Sequence, residues 1–225
     1  MNEKRTWFRQ AFVYTFGLFF LGIGVTFSIL SDTGVPPIAS FPYAITLITN
    51  ISIGVTVIFA HFIFILLQII ILRAFSLTSF LVQMTIAILL GFFFDLAAWI
   101  LRFLPEASTY FLQGLYLFIG VLITGLAIFL YFSSNLTMNP YDTLTRIITE
   151  KAKRPFGVVR VYCDVSVVGI ALAISLIGLQ SFGSVGIGTV IGSYTIGKVT
   201  GFLLTYLQPN LQRWMYKYDD KRRAM

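Results

Sequence analysis

Apolar residues in this chain run with little interruption for ~20 positions at a time, and the polar residues collect between the runs. Six runs are legible, at 7–30, 52–72, 80–104, 109–132, 156–177 and 183–207. Each is long enough to cross a ~30 Å hydrocarbon core as an α-helix. The runs are apolar on every side rather than along one stripe, which is expected where lipid solvates the outer face. The pattern predicts an all-α, polytopic membrane protein of six transmembrane helices forming one domain over residues 1–225.

Two longer breaks punctuate the pattern. At 31–50, Pro36, Pro37 and Pro42 rule out one continuous helix, and Ser31 or Asp32 could cap a short new one. At 133–155, Tyr141, Leu144, Ile147, Ile148 and Ala152 fall near helical spacing, while Asp142, Thr143, Arg146, Glu150 and Lys151 occupy the other face. The second break therefore reads as a short amphipathic helix over 140–152 lying flat in the membrane interface. Were either short helix re-entrant, with its N-terminus turned inward, that end would favour an anionic group.

The breaks match each other. Sliding the chain by the 103 positions that separate Pro37 from Pro140 also superimposes Gly17 on Gly120, Gly22 on Gly125, Ser31 on Ser134 and Gly54 on Gly157. Backbone-breaking residues are better witnesses here than Leu or Phe, which match by chance in membrane sequence. The expectation is two three-helix repeats, about 1–105 and 106–225. An odd number of spans per repeat turns the second copy upside down, the plan of many secondary transporters.

Composition agrees and adds orientation. Of 225 residues, 57% are apolar and 11% charged, too few polar side chains for a water-soluble surface. The net charge of +7 sits in the connections, which argues against nucleic-acid binding. With the N-terminus inside, the basic residues at 4–9, 73, 146–160 and 213–223 are cytoplasmic, Arg102 is outside and Lys198 is within a span. Both termini are thus expected in the cytoplasm of a bacterial cell, with the protein in its plasma membrane. Trp214, Tyr216 and Tyr218 read as anchors of the basic tail. No cleavable signal is expected, since the first apolar run is too long for one. One cysteine and one histidine leave no disulfide and no metal or cofactor site.

The ionisable residues inside spans carry the candidate chemistry. Counting ~1.5 Å per residue from each span's start puts His61 near mid-membrane, Asp95 in the outer half, and Asp164 and Lys198 in the inner half. The 103-residue shift pairs His61 with Asp164 and Asp95 with Lys198. Two ion pairs are expected, His61 with Asp95 and Asp164 with Lys198, as gates or solute-binding groups; the plainer role is structural bracing. Arg160, one turn before Asp164, reads first as a snorkelling anchor and second as an anion ligand. Gln68 and Gln83 read as interhelical hydrogen-bond formers. Glycines 188, 192, 197 and 201 form a small-residue stripe that packs tightly within the monomer or, in the other reading, seams two copies into a homodimer.

Several motifs resemble the YczE-like group of the YczE/YyaS/YitT bacterial membrane proteins. They are Gly34-Val-Pro-Pro, Ser52-Ile-Gly, Gly91-Phe-Phe-Phe-Asp95, Asn139-Pro-Tyr-Asp142, Arg160-Val-Tyr-Cys-Asp164 and Gly186-Ile-Gly-Thr-Val. The chain departs from that pattern at Pro37-Ile-Ala, where relatives carry Pro-Trp-Asp, and at Asp164, where a glutamate is common. The resemblance implies the fold and a transport role, and it adds Asn139 and Asp142 to the candidate site. Ala39 can hold no acidic role, whereas Asp142 retains one in the second repeat.

Together these features predict a non-enzymatic secondary transporter or permease for a small polar or anionic solute. Its path would be lined or gated by His61, Asp95, Asp164, Lys198, Arg160, Asn139 and Asp142. No nucleotide-binding motif is present, so energy would come from an ion gradient or an external partner. The alternative is a membrane scaffold that binds a cytosolic partner or anionic lipid through its basic inner loop and tail.

Overall fold

The computed structural model describes residues 2–216, with side chains from Thr6 onward. Tyr218, Lys217, Lys221, Arg222 and Arg223 of the expected tail lie outside the described residues, as do the side chains of Lys4 and Arg5. Among the described residues there are nine α-helices and no strands. They are α1 (Asn2–Leu30), α2 (Pro37–Thr49), α3 (Ile53–Leu72), α4 (Leu77–Leu101), α5 (Tyr110–Ser133), α6 (Pro140–Ala152), α7 (Phe156–Leu179), α8 (Ile187–Tyr206) and α9 (Gln208–Tyr216). Six of them, α1, α3, α4, α5, α7 and α8, are long and apolar enough to cross a membrane. The chain is a multi-pass membrane protein.

Local chemistry sets the helix ends. Side-chain oxygens of Ser52, Ser76, Thr109 and Asn139 accept from the first-turn N–H groups of α3, α4, α5 and α6. These donors have no intrahelical partner, so each cap removes a group that would be costly next to lipid. Pro37 and Pro140 open α2 and α6 at positions where a missing N–H costs nothing. Left-handed residues at Asn50, Arg73, Lys153 and Gln180 end α2, α3, α6 and α7.

The two breaks fold alike. Ser31 Oγ donates to Ser28 O at 2.7 Å, and Ser134 Oγ donates to Tyr131 O at the same distance. The next residues, Asp32 and Asn135, are both left-handed, at φ 52° and 55°. α2 and α6 each have 13 residues. All these equivalences keep the 103-residue spacing, as do the starts of α3 and α7.

The central contact is between α1 and α5, and glycine permits it. A Cβ on Gly17 would lie 2.8 Å from Tyr131 N and 3.1 Å from Ala127 O. One on Gly120 would lie 2.8 Å from Gly24 O and 3.0 Å from Ser28 N. Each contact is thus answered by its counterpart 103 residues on. The short helices cross over in the same reciprocal way, α2 lying along α7 and α6 along α3. The core that results is built around Leu18, Leu21, Val25, Phe64, Leu90, Phe94, Tyr131 and Tyr141.

Three expectations are corrected by this arrangement. First, α6 does not lie flat: its opening residues Pro140, Tyr141 and Asp142 are buried, while Glu150, Lys151 and Ala152 are exposed. Its polar N-terminal residues meet protein partners inside the fold, which an amphipathic pattern cannot reveal. α2 behaves likewise, buried at Pro37–Ser40 and exposed from Ile48. Second, Pro209 stands in the first turn of an added helix, α9, rather than simply closing the sixth span. Met215 there is buried, Tyr216 Oη accepts from Gln10 and Asn135, and Arg9 donates to Trp214 O. These aromatic residues grip the protein as well as facing outward. Third, only part of the glycine stripe packs: Gly188 abuts Thr33, but a Cβ added at Gly197 or Gly201 would meet nothing within 4 Å.

One helix pair breaks the reciprocity. α3 and α4 pack closely, with Gly54 against Gly91. α7 and α8 are separated by a gap, and Gly157, the counterpart of Gly54, faces open space. α7 is the least enclosed of the six long helices and α1 the most.

Glycine substitutions test this packing. Gly17→Leu is expected to cost about 1–3 kcal/mol or more through overpacking, read as a lower thermal midpoint in non-ionic detergent. Gly157→Ala is expected to leave the midpoint unchanged or raise it. Equal effects of the two would contradict the close α1–α5 contact.

Candidate functional site

The buried start of α6 gathers the strongest polar groups in the molecule. Asn139 caps the helix: its Oδ1 accepts from Asp142 N at 2.9 Å, and its Nδ2 donates to Asp142 Oδ2 at 2.8 Å. Asp142 is fully buried and also accepts from Tyr131 Oη at 2.5 Å. Its other oxygen is paired with the Arg160 guanidinium, which reaches across from α7. A carboxylate here is stabilised three ways: by hydrogen bonds, by a counter-ion and by the positive end of its own helix.

Arg160 bridges two carboxylates. Its Nε donates to Asp164 Oδ1 at 3.2 Å, one turn further along α7. Its plane also lies over the Tyr141 ring, 4.8 Å from the centroid. Tyr141 in turn donates its hydroxyl to Asp164 Oδ1 at 2.5 Å. A planar guanidinium suits this role because one group can serve both acids and stack on an aromatic ring. One cation thus faces two acids in the middle of an apolar fold.

The cluster opens on the gap between α7 and α8. A cavity of about 770 Å³ is lined by Asp164, Val165, Pro37, Tyr194 and Lys198 among others. A second lobe of about 310 Å³ shares Pro37, Asp164, Ser193 and Gly197 and adds Arg160 and Thr124. The volume falls in the range of small-molecule sites, with a few polar groups set among apolar walls. The N-terminus of α2 lines both lobes through Pro37.

The expected ion pairs are not what forms. Asp95 does not meet His61: it accepts from Ser52 Oγ at 2.9 Å and from Gly54 N at 2.8 Å, tying α4 to the first turn of α3. The free N–H groups of a helix start draw an acid more strongly than a neutral ring ~10 Å further along the helix. His61 is buried, with Nδ1 on Val57 O at 2.8 Å and its ring edge-to-face with Phe64; among the described residues its Nε2 has no hydrogen-bond partner. Lys198 shares the cavity with Asp164 but is not bonded to it; its ammonium sits 5.5 Å from the Tyr194 ring centroid. Asp164 is already served by Tyr141 and Arg160. Arg160 itself is no snorkelling anchor, being turned inward to the two acids.

Asn139, Asp142, Arg160 and Asp164 therefore form one site with Lys198 on its far wall, and His61 and Asp95 stand apart. Tyr131 and Tyr141 belong to the site and were missed. Tyr141 falls on the apolar face by helical spacing, and nothing in the sequence marks its hydroxyl as a donor to an acid 23 residues away. Below the site, Gln68 and Gln83 bond each other reciprocally at 2.8 and 3.0 Å, and Gln68 also donates to Pro140 O at 2.9 Å.

Residues 8–205 match the model of a family of unknown function, DUF6198. The chain belongs to this family. The match runs from α1 to α8, so the family unit takes in all six long helices together with α2 and α6, and α9 lies beyond it. An uncharacterized protein of Haemophilus influenzae is 26% identical over 195 residues, covering 87% of this chain and 83% of its own. No solved structure matches the chain. The YczE-like resemblance reduces to membership of this family, since neither the family nor the relative carries that name.

Removing one member of the cluster is expected to be expensive. Arg160→Gln leaves Asp142 buried and uncompensated, at about 3–5 kcal/mol by analogy with broken buried ion pairs. Tyr141→Phe loses one hydrogen bond to a charged group, about 1.5–3 kcal/mol. Chemical or thermal unfolding in detergent would rank them. Arg160→Gln being as stable as the native protein would contradict the pairing.

Proposed function

We propose that the protein is a secondary-type transporter or permease for a small polar, anionic solute, with its site where two inverted three-helix halves meet. The observation that carries this reading is the Asp142–Arg160–Asp164 cluster opening on a cavity with Lys198 on the opposite wall. Ionised groups within membrane spans are costly, and they occur where they bind, gate or relay. Short helices whose N-termini turn inward beside such groups are the arrangement that meets solute in many transporters. Reciprocal contacts between α1 and α5 support a twofold relation of the halves, and three spans per half would set the copies upside down.

In this scheme Asp164 and Lys198 are the working groups, because they face the cavity from opposite walls. Asn139, Asp142 and Arg160 position Asp164. His61 and Asp95 serve the fold. The basic end of α6 and the loop after it, with Lys151, Lys153 and Arg154 exposed, support a cytoplasmic placement of that side and of both chain ends. The Haemophilus relative supports a bacterial plasma membrane as the setting.

Proteoliposomes containing the purified protein and a pH-sensitive dye test the reading, with carboxylates and inorganic phosphate added outside. Saturable flux is expected, slowed about tenfold or more, an effect of about 1.4 kcal/mol, by Asp164→Asn and by Lys198→Gln. Tyr162→Phe, on the outer face of α7, should leave it unchanged. Flux that ignores both cavity substitutions would reject the site, and the complete lack of flux would favour a scaffold. Orientation has its own measurement, in a Cys163→Ala background. Glu106→Cys should react with an impermeant thiol reagent added to intact cells and Lys153→Cys should not; the reverse pattern would invert the topology.

A further inference from the structure

The cavity between α7 and α8 is walled largely by apolar side chains. The two helices stand apart along it, so it opens sideways, at the level of the membrane spans, rather than only toward an aqueous face. Its rim is made of Val161, Val165, Val190 and Tyr194, exposed by 59%, 66%, 70% and 69%. In a bilayer such a rim is continuous with the acyl chains, so what enters through it partitions from lipid. The polar groups on its walls include Asp164 on α7, Thr189, Ser193 and the exposed Lys198 on α8, with Pro37 at the start of α2 beside them.

Of the two charged residues lining the larger cavity, Asp164 is engaged by protein partners and Lys198 is not ion-paired among the described residues. Both oxygens of Asp164 already accept from Arg160, and one also accepts from Tyr141. Among the described residues, the Lys198 ammonium contacts the Tyr194 ring and makes no hydrogen bond or ion pair, which leaves its donors available. The helix starts differ in the same sense. α6 carries its own cap and its own acid, Asn139 and Asp142, whereas Pro36 and Ala39 stand at the corresponding positions of α2. Pro36 supplies no side-chain cap and no acid stands in the first turn of α2, so its partial positive charge is not met locally as that of α6 is.

We infer that the cavity takes an anionic amphiphile: a carboxylate or phosphate held by Lys198 at the start of α2, with an apolar body along Val165, Val190 and Tyr194 that enters sideways from the bilayer. This rests on the transport reading and narrows its solute from a small polar anion to one with a hydrocarbon part. The apolar walls supply affinity by burial, and the ammonium selects the sign of the head group.

Equilibrium binding of radiolabelled octanoate to the full-length protein in zwitterionic nanodiscs tests the inference. Saturable binding is expected that equimolar acetate, inorganic phosphate and octanol fail to displace. Lys198→Gln should weaken it about tenfold or more. Gly197→Phe should abolish it by filling the cavity, at a position where open space surrounds the backbone and an unchanged thermal midpoint is expected. Displacement by acetate or phosphate as effective as by unlabelled octanoate would overturn the amphiphile while leaving the polar-anion transporter standing. Equal binding of octanol or of octyltrimethylammonium would overturn the anionic head group. Measured flux of a polar anion with no octanoate binding would overturn the inference alone. A Gly197→Phe protein that changes its oligomeric mass and still binds octanoate would assign the gap to a second copy of the chain.

Discussion

An ionised side chain inside hydrocarbon must be surrounded by partners, and most of this fold can be understood from how that demand is met. Asp142 is the clearest instance. It cannot sit in lipid, so α6 turns its first residues inward to where Tyr131, Asn139 and Arg160 can reach it. In doing so it fixes α5, α6 and α7 against one another. A buried pair of this kind contributes little net stability compared with well-packed apolar residues, because desolvation offsets the attraction. What it contributes is a single register: α6 slipped by one residue along α7 would part Asp142 from Arg160 and Tyr141 from Asp164. Asp95 obeys the same demand more economically, by capping the helix next to it with its two oxygens.

The two halves share their local structure but not their chemistry, and the differences are concentrated at one place. Asn139 and Asp142 have Pro36 and Ala39 as counterparts, so one inward helix start carries a side-chain cap and an acid and the other is bare of both. Gly54 meets Gly91 and closes α3 on α4, while Gly157 meets nothing and α7 stands off from α8. The bare helix start and the open gap adjoin the same cavity. A symmetric pair of halves would offer two equivalent openings. The departures from symmetry part α7 from α8 beside a helix start that carries no side-chain cap.

Much of the architecture was legible in the linear pattern. The six long helices, the proline starts of α2 and α6, and the recurrence at 103 residues all follow from apolar run length and from residues that constrain the backbone locally. The candidate site was legible by residue but not by partner. Asp164, Arg160, Asn139 and Asp142 were identified as the groups to watch; which of them bond each other was not. His61 with Asp95 was a reasonable pair by depth and fails because a helix start stood closer to the acid. Tyr131 and Tyr141 could not be told from the other aromatic residues, since a hydroxyl's role depends on what lies opposite it.

The sequence by itself determined how many helices are long and apolar enough to cross a bilayer and where prolines open the two short ones between them, because these depend on neighbours within a turn or two. Only the tertiary structure decided that α6 points inward rather than lying flat, that Arg160 serves two acids, and that α7 and α8 part to leave Lys198 facing a cavity. Those outcomes depend on distances between helices far apart in the chain, and no local periodicity encodes them.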